Sequence, residues 1–206
     1  MLEQELKLTA PRLEVLNDVF ESPYVRQYSI GNPLPPARFL GIYYDTQDDS
    51  LRKAKCSFRA RLEGSVFRAA FKSAGETIDG LFRHQEYETV IDGWLENVSL
   101  VPEGELKDVL LQLLGPNEPL VPRVKVDMQR RVMNLKIEET QIELVADQGV
   151  IAANDREHAL FELELELKQG DIERIMAMGE YLKSNFSLVP SRLTKHQIGL
   201  GLWQTR

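Results

Sequence analysis

The chain has 206 residues, 43% of them hydrophobic and 28% charged, with a net charge of −7 and a pI near 5.1. That balance suits one sizeable globular domain over residues 1–206, and the acidic surplus argues against a general nucleic-acid binder while allowing a local basic pocket. Cys56 is the one cysteine, which excludes an intrachain disulfide and multi-cysteine zinc sites, and apolar runs such as Val109-Leu110-Leu111 are far too short to span a bilayer. With no basic-then-apolar leader at the start, a cytoplasmic, membrane-free protein is expected.

The elements follow in order. Residues 2–8 alternate and read as a strand. Thr9, Ala10 and Pro11 look like a helix start, and Leu13, Leu16, Val19 and Phe20 supply its apolar stripe. A loop rich in Pro and Gly at 31–36 leads to a strand ending in Ile42-Tyr43-Tyr44-Asp45-Thr46 and then a polar stretch with Leu51-Arg52. Strands near 55–63 and 65–73 flank a Glu63-Gly64 turn, and a connection from Gly75 to Gly80 precedes a strand at about 83–91. A helix over 105–114 stops at Gly115-Pro116. Strands near 123–137 and 141–147 follow, then a turn at Asp147-Gln148-Gly149 and a strand at 160–168. Asp171 caps a helix through 184, with Ile172, Ile175, Met176, Met178 and Leu182 inward, and the tail from Leu193 to Trp203 reads as a strand or a short helix.

Almost every strand has one apolar face and one face of acids or bases. Glu162, Glu164 and Glu166 alternate with leucines, and Glu3, Glu5 and Lys7 share a face at the start of the chain. Arg59 and Arg61 share a face opposite Phe58 and Ala60, and Arg68 and Lys72 share one opposite Phe67 and Phe71. Side chains two apart on a strand lie roughly 7 Å from each other, so rows of like charge repel unless water or counter-charges separate them. Such faces are tolerated on a solvated surface or around a cavity that holds cations. About eight two-faced strands with few helices favour a mainly β, α+β architecture, an antiparallel closed barrel that protects its edges. Flipping a strand leaves its periodicity unchanged, so alternation alone leaves open which face points inward.

The chain resembles the CYTH-domain proteins of the triphosphate tunnel metalloenzyme superfamily. The likeness is carried by Glu3-Gln4-Glu5-Leu6-Lys7, Tyr43-Tyr44-Asp45-Thr46, Leu51-Arg52, Arg59-Ala60-Arg61, Phe71-Lys72, Glu86-Tyr87-Glu88, Arg130, Glu143 with Asp147-Gln148-Gly149, Glu162 to Glu166, and Thr194-Lys195. It implies an eight-stranded antiparallel tunnel with the charged faces lining the lumen. It is strongest toward bacterial inorganic triphosphatases, in which a CYTH domain often precedes a helical CHAD domain. The chain then reads as a stand-alone member or as part of a longer CYTH-CHAD parent. Two positions depart from the family pattern: His84 stands where an arginine is usual, with Arg83 beside it, and Ile198 replaces an arginine near the end.

The implied substrate is inorganic triphosphate or another small triphosphate, hydrolysed with Mg²⁺ or Mn²⁺. Such chemistry rests on positioning and charge neutralisation. Lys7, Arg59, Arg61, Lys72, Arg130 and Lys195 are then the phosphate-cradling residues, arginine as a planar fork and lysine as a compact charge. Carboxylates would repel a polyanion unless hard divalent cations lie between, which makes Glu3, Glu5, Glu162, Glu164 and Glu166 the expected metal ligands. Glu5, Lys7, Arg59, Arg61, Lys72 and Arg130 form the expected catalytic set, with the general base unassigned. Adenylyl cyclase or thiamine-triphosphatase chemistry would need a pocket for an organic group at the tunnel mouth. A polyphosphate-binding module without turnover is the alternative from another class.

Overall fold

The computed structural model describes residues 2–31 and 34–204, so Asn32 and Pro33 of the expected loop lie outside the described residues. The elements are β1 (Leu2–Thr9), α1 (Leu13–Glu21), α2 (Pro23–Arg26), β2 (Ala37–Asp45), α3 (Ser50–Lys53), β3 (Ser57–Glu63), β4 (Val66–Lys72), β5 (Glu76–Ile78) and β6 (Leu81–Ile91). They continue with α4 (Glu105–Leu113), β7 (Val121–Ile137), β8 (Thr140–Ala153), β9 (Arg156–Gln169), α5 (Ile172–Asn185), β10 (Val189–Pro190) and α6 (Lys195–Gln204).

Antiparallel pairing runs β1–β9–β8–β7–β2–β3–β4–β6, and β6 returns to β1 through Leu2↔Gln85 to Leu6↔Leu81. Eight strands therefore form a closed barrel with no free edge. The short β5 extends β6, and β10 takes the part of the β1 edge that β6 leaves unpaired, through Leu8↔Pro190 and Thr9↔Val189. Among the described residues no helix is long and apolar enough to cross a membrane.

The apolar strand faces point outward and are covered by helices. α1 and α5 lay Leu16, Val19, Ile175 and Leu182 on Leu6, Leu8, Leu144, Leu163 and Leu165. α4 lays Leu106 and Leu110 over Phe58, Ala60 and Phe71. Each fully buried leucine contributes about 2 kcal/mol, so the helices hold in place a barrel whose own interior is charged. A third apolar cluster lies inside, where Tyr43, Val124, Met128, Ile151 and Leu160 meet Ile198, Leu200 and Leu202 of α6. The C-terminal helix thus closes one end of the barrel. Gly199 permits this, because a Cβ there would overlap the Val124 side chain.

The structure corrects some local expectations and decides others. α1 starts later than Thr9, which stays in β1; Arg12 is the N-cap and makes no side-chain capping bond. The polar stretch at Leu51 is a helical turn anchored by Asp45, which accepts from the backbone N–H of Thr46 (2.8 Å), Leu51 (2.8 Å) and Arg52 (2.9 Å). Asp45 is accordingly a turn-anchoring residue. No turn exists at 147–149: β8 runs on to Ala153, and the reversal comes at Asn154, whose φ is 56°. Gly149 is there for close packing, since a Cβ would overlap the Asp127 carbonyl oxygen on β7. His158, which reads from the sequence as a loop histidine, lies exposed within β9, and the tail takes the helical one of its two expected forms.

Candidate active site

Cross-strand register decides which charges share the barrel interior. Glu5 stands opposite Glu166 and Lys7 opposite Glu164 on β9, while on the other side Glu3 faces His84 and Glu5 faces Phe82 on β6. Arg130 faces Asp147, and Asp147 faces Glu162. Because the intervening leucines belong to the outer layer, these polar side chains all point inward.

Asp147, Glu162 and Glu164 converge, with ligand atoms within 4.8 Å of one another. Three buried carboxylates so close repel strongly unless cations intervene. Lys195 Nζ lies among them, 2.9 Å from Asp147, 2.7 Å from Glu164 and in contact with Glu162. Lys7 Nζ adds 2.6 Å to Glu164 and 3.0 Å to Glu5. Arg130 forks onto Asp147 at 2.8 and 2.6 Å and also donates to Glu164 at 3.0 Å. Burial opposes the charge on Glu164, yet Lys195, Lys7 and Arg130 hold its carboxyl well below the usual range. Burial pushes Glu162 up to about 7, against the pull of Lys195 and Lys7. Burial likewise works against the ammonium of Lys195, but Asp147, Glu162 and Glu164 raise it above the ordinary lysine range.

A second group holds Glu3, Glu5 and His84, again with ligand atoms within 4.8 Å of one another. Lys72 Nζ lies 2.6 Å from Glu3 and 3.8 Å from Glu5, and His84 Nε2 is 2.5 Å from Glu3 Oε2. Burial disfavours the Glu3 carboxylate, but His84 and Lys72 keep it well below the usual range. Glu5 is only 3% exposed, and its Oε1 has no hydrogen-bond partner.

The opposite wall is basic. Arg59 Nη1 donates to the Tyr43 hydroxyl at 3.4 Å, and the Nε atoms of Arg59 and Arg61 are buried without a hydrogen-bond partner. The guanidiniums of Arg61 and Arg130 both lie over the Phe39 ring, at 5.1 and 5.5 Å. Burial and the adjacent Arg59 bring Arg61 down to about 10. Cations packed this way gain from an anion between them.

One cavity of about 340 Å³ joins these groups, and Glu3, Glu5, Lys7, Arg59, Lys72, Arg130, Glu164, Glu166 and Lys195 all line it. Arg61 and Glu162 are off its wall: Arg61 turns to Glu63 and Glu88, and Glu162 sits behind Lys195. Glu166 is held by Lys168 at 2.7 Å. Sequence reasoning missed Asp147 as a member of the site because it was read as a turn, although its alternation with Glu143 already placed it on a charged face. It also missed Tyr43, Phe82 and His196 on the cavity wall, where no charge pattern marks them. His84 is buried and points inward, whereas Arg83 is exposed on the alternate face of an unbulged β6, and both border the cavity. Ile198 packs into the apolar cluster at the closed end.

The family model for the CYTH domain matches residues 33–196. An inorganic triphosphatase of Haemophilus influenzae is 29% identical over 167 residues, a match spanning 78% of this chain and 45% of that protein. The chain therefore spans about half the length of that curated relative. The solved structure of a Hippeastrum protein described as having a dominant triphosphatase activity is similar with a TM-score of 0.75 at 18% identity, over 97% of this chain and 95% of that one. A Pyrococcus horikoshii OT3 protein gives a TM-score of 0.58 at 15% identity, over 97% and 99% of the two chains. At these identities the structural likeness speaks for the fold, and the closed barrel with its charged lumen agrees with it. Together with a match across most of the sequence, this makes the chain a member of the CYTH domain family.

Proposed function

We propose that the barrel hydrolyses inorganic triphosphate to diphosphate and phosphate with the help of a divalent cation, Mg²⁺ or Mn²⁺. The observation that carries this reading is the cavity wall, on which Lys7, Arg59, Lys72, Arg130 and Lys195 are interleaved with Glu3, Glu5 and Glu164 around one space. That arrangement suits a small polyanion and a hard cation together.

The residues fit the cation. Glu5 Oε1 is a buried carboxylate oxygen without a hydrogen-bond partner, beside Glu3, and both are hard oxygen donors. Glu3 and Glu5 would hold the metal, and Glu162 and Glu164, grouped with Asp147 around Lys195, are a second set of hard oxygen donors. A divalent cation at this place supplies Lewis acidity toward phosphate oxygens and makes an attacking water more acidic. The chain's own groups do the rest. Arg59, with its unpartnered Nε, offers a planar fork for phosphate oxygens, Arg130, whose Nε and Nη2 are committed to Asp147 and Glu164, adds positive charge, and Lys7 and Lys72 act as point charges. Held in this way, the terminal phosphorus takes the water oxygen as the bridging P–O bond breaks, the electron pair leaves with diphosphate, and the water's two protons end on oxygens of the phosphate and diphosphate products. The basic wall stabilises the charge that gathers on the oxygens.

An inorganic substrate is favoured over a nucleotide because the aromatic rings on the wall are engaged. Tyr43 is stacked on His196 at 5.0 Å and 20°, and Lys7 lies 5.6 Å from the centre of the Phe82 ring. The test is phosphate release from tripolyphosphate with Mg²⁺, with Mn²⁺ and with chelator, beside ATP and thiamine triphosphate. Chelator-sensitive release from tripolyphosphate alone supports the reading. Comparable turnover of an organic triphosphate moves the substrate, and tight binding without turnover makes the protein a polyphosphate-binding module.

A further inference from the structure

One residue in the Glu3–Glu5 group is a nitrogen donor. His84 stands directly across the β1–β6 pair from Glu3, buried, with Nε2 turned to Glu3 Oε2. One atom each of Glu3, Glu5 and His84 lies within 4.8 Å of the other two. In an octahedral shell with bonds of about 2.1 Å, neighbouring ligand atoms are about 3 Å apart. Small side-chain adjustments therefore bring all three around one ion.

A second observation points to a ligand at the same place. Glu5 is almost fully buried, and its Oε1 has no hydrogen-bond partner. An oxygen of this kind carries a desolvation cost that a cation offsets. The Lys72 ammonium already shares Glu3 Oε2 with His84, which marks that oxygen as a position for positive charge.

We propose that His84 is a metal ligand beside Glu3 and Glu5, and that its imidazole biases the site toward first-row transition ions over Mg²⁺. The inference rests on the metal-dependent reading above and deepens it. Mg²⁺ prefers oxygen ligands and retains water, whereas imidazole adds affinity for transition ions. An arginine at this position would present only donors to the carboxylates. The imidazole therefore exchanges a phosphate contact for a metal contact.

The test is Mn²⁺ binding to the full chain, with the bound fraction read by electron paramagnetic resonance and directly bonded nitrogen read by electron spin-echo envelope modulation. The wild type is expected to show imidazole nitrogen modulation. His84→Gln should abolish it and weaken Mn²⁺ binding by about tenfold or more, and should lower the ratio of Co²⁺ to Mg²⁺ affinity. The chain has three histidines, so retention of the signal in His196→Gln and His158→Gln assigns it to His84. If His84→Gln does not fold, His84→Asn replaces it. A signal that survives in the His84 variant, or a wild type that binds Mn²⁺ without nitrogen modulation, overturns the inference and leaves the metal-dependent reading standing. A wild type that binds no Mn²⁺, alone or with tripolyphosphate, overturns both.

Discussion

Replacing Lys195 by methionine removes one ammonium from three buried carboxylates and tests the ion cluster that organises the lumen. Arg130 and Lys7 still serve Asp147 and Glu164, but Glu162 loses its short contact. Removing one partner from a buried charge cluster costs about 3 kcal/mol or more. For a chain of this size that lowers the melting temperature by roughly 6–12 °C. The loss should also depend on pH. Glu162 sits at about 7 in the wild type because burial outweighs its lysines, and without Lys195 it must rise further. A carboxyl whose folded value exceeds its unfolded value binds more protons in the folded state, so its contribution to stability falls as pH rises through the folded value. Near pH 6 both proteins carry Glu162 protonated. Above about pH 7, and until the pH reaches the variant's own higher value, the variant continues to lose up to about 1.4 kcal/mol per pH unit relative to the wild type. The lysine's own contribution is complete throughout this range, because its folded value is raised and the range lies below the unfolded value of 10.5. Urea titrations near pH 6 and near pH 9, with chelator present, measure the difference. Trp203 is a built-in probe, since its indole N–H donates to the Arg123 carbonyl at 2.6 Å and reports the seating of α6. A variant as stable as the wild type, or one whose deficit is the same at both pH values, would refute the argument.

Other substitutions separate structure from chemistry. Glu5→Gln should abolish metal-stimulated phosphate release while retaining the fold by circular dichroism; wild-type activity with Mg²⁺ would remove Glu5 from the metal site. Lys7→Ala should raise the KM for tripolyphosphate by more than it lowers kcat, and steady-state kinetics checks this. Asp45→Ala leaves three backbone N–H groups without their acceptor and should cost about 3 kcal/mol in denaturant unfolding. Gly149→Ala drives a methyl into the Asp127 carbonyl and should cost about 2 kcal/mol or more, with no loss expected if β7 and β8 are free to shift apart.

Much of the barrel was legible because strand alternation is a local property. The Glu162-to-Glu166 strand, the Arg59–Arg61 strand and the Asp171-capped helix all form close to where their patterns place them. The errors fall where a residue type has two uses. Asp147-Gln148-Gly149 has turn composition, yet Gly149 serves the close approach of β7 and Asp147 is an interior acid clamped by Arg130 and Lys195. Thr9 and Pro11 have helix-start composition, yet Thr9 pairs with both Glu162 and Val189. Tyr43 and His196 carry no charge pattern, and only the packing of α6 against β2 brings them together.

By itself the sequence determined that most strands have two unlike faces, which residues share each face, and that the charges come as rows of acids and rows of bases. Side-chain direction alternates along any strand, so those facts follow from local geometry. The tertiary structure alone decided that the charged faces point inward, since the same alternation serves a strand flipped over. It also decided which acid meets which base. Lys7 reaches Glu164 across 157 positions and Lys72 reaches Glu3 across 69, and such pairings are set by the register of a closed barrel. The physical reason is that the leucine faces are buried only when the helices cover them from outside, which leaves the interior to charges that must neutralise one another.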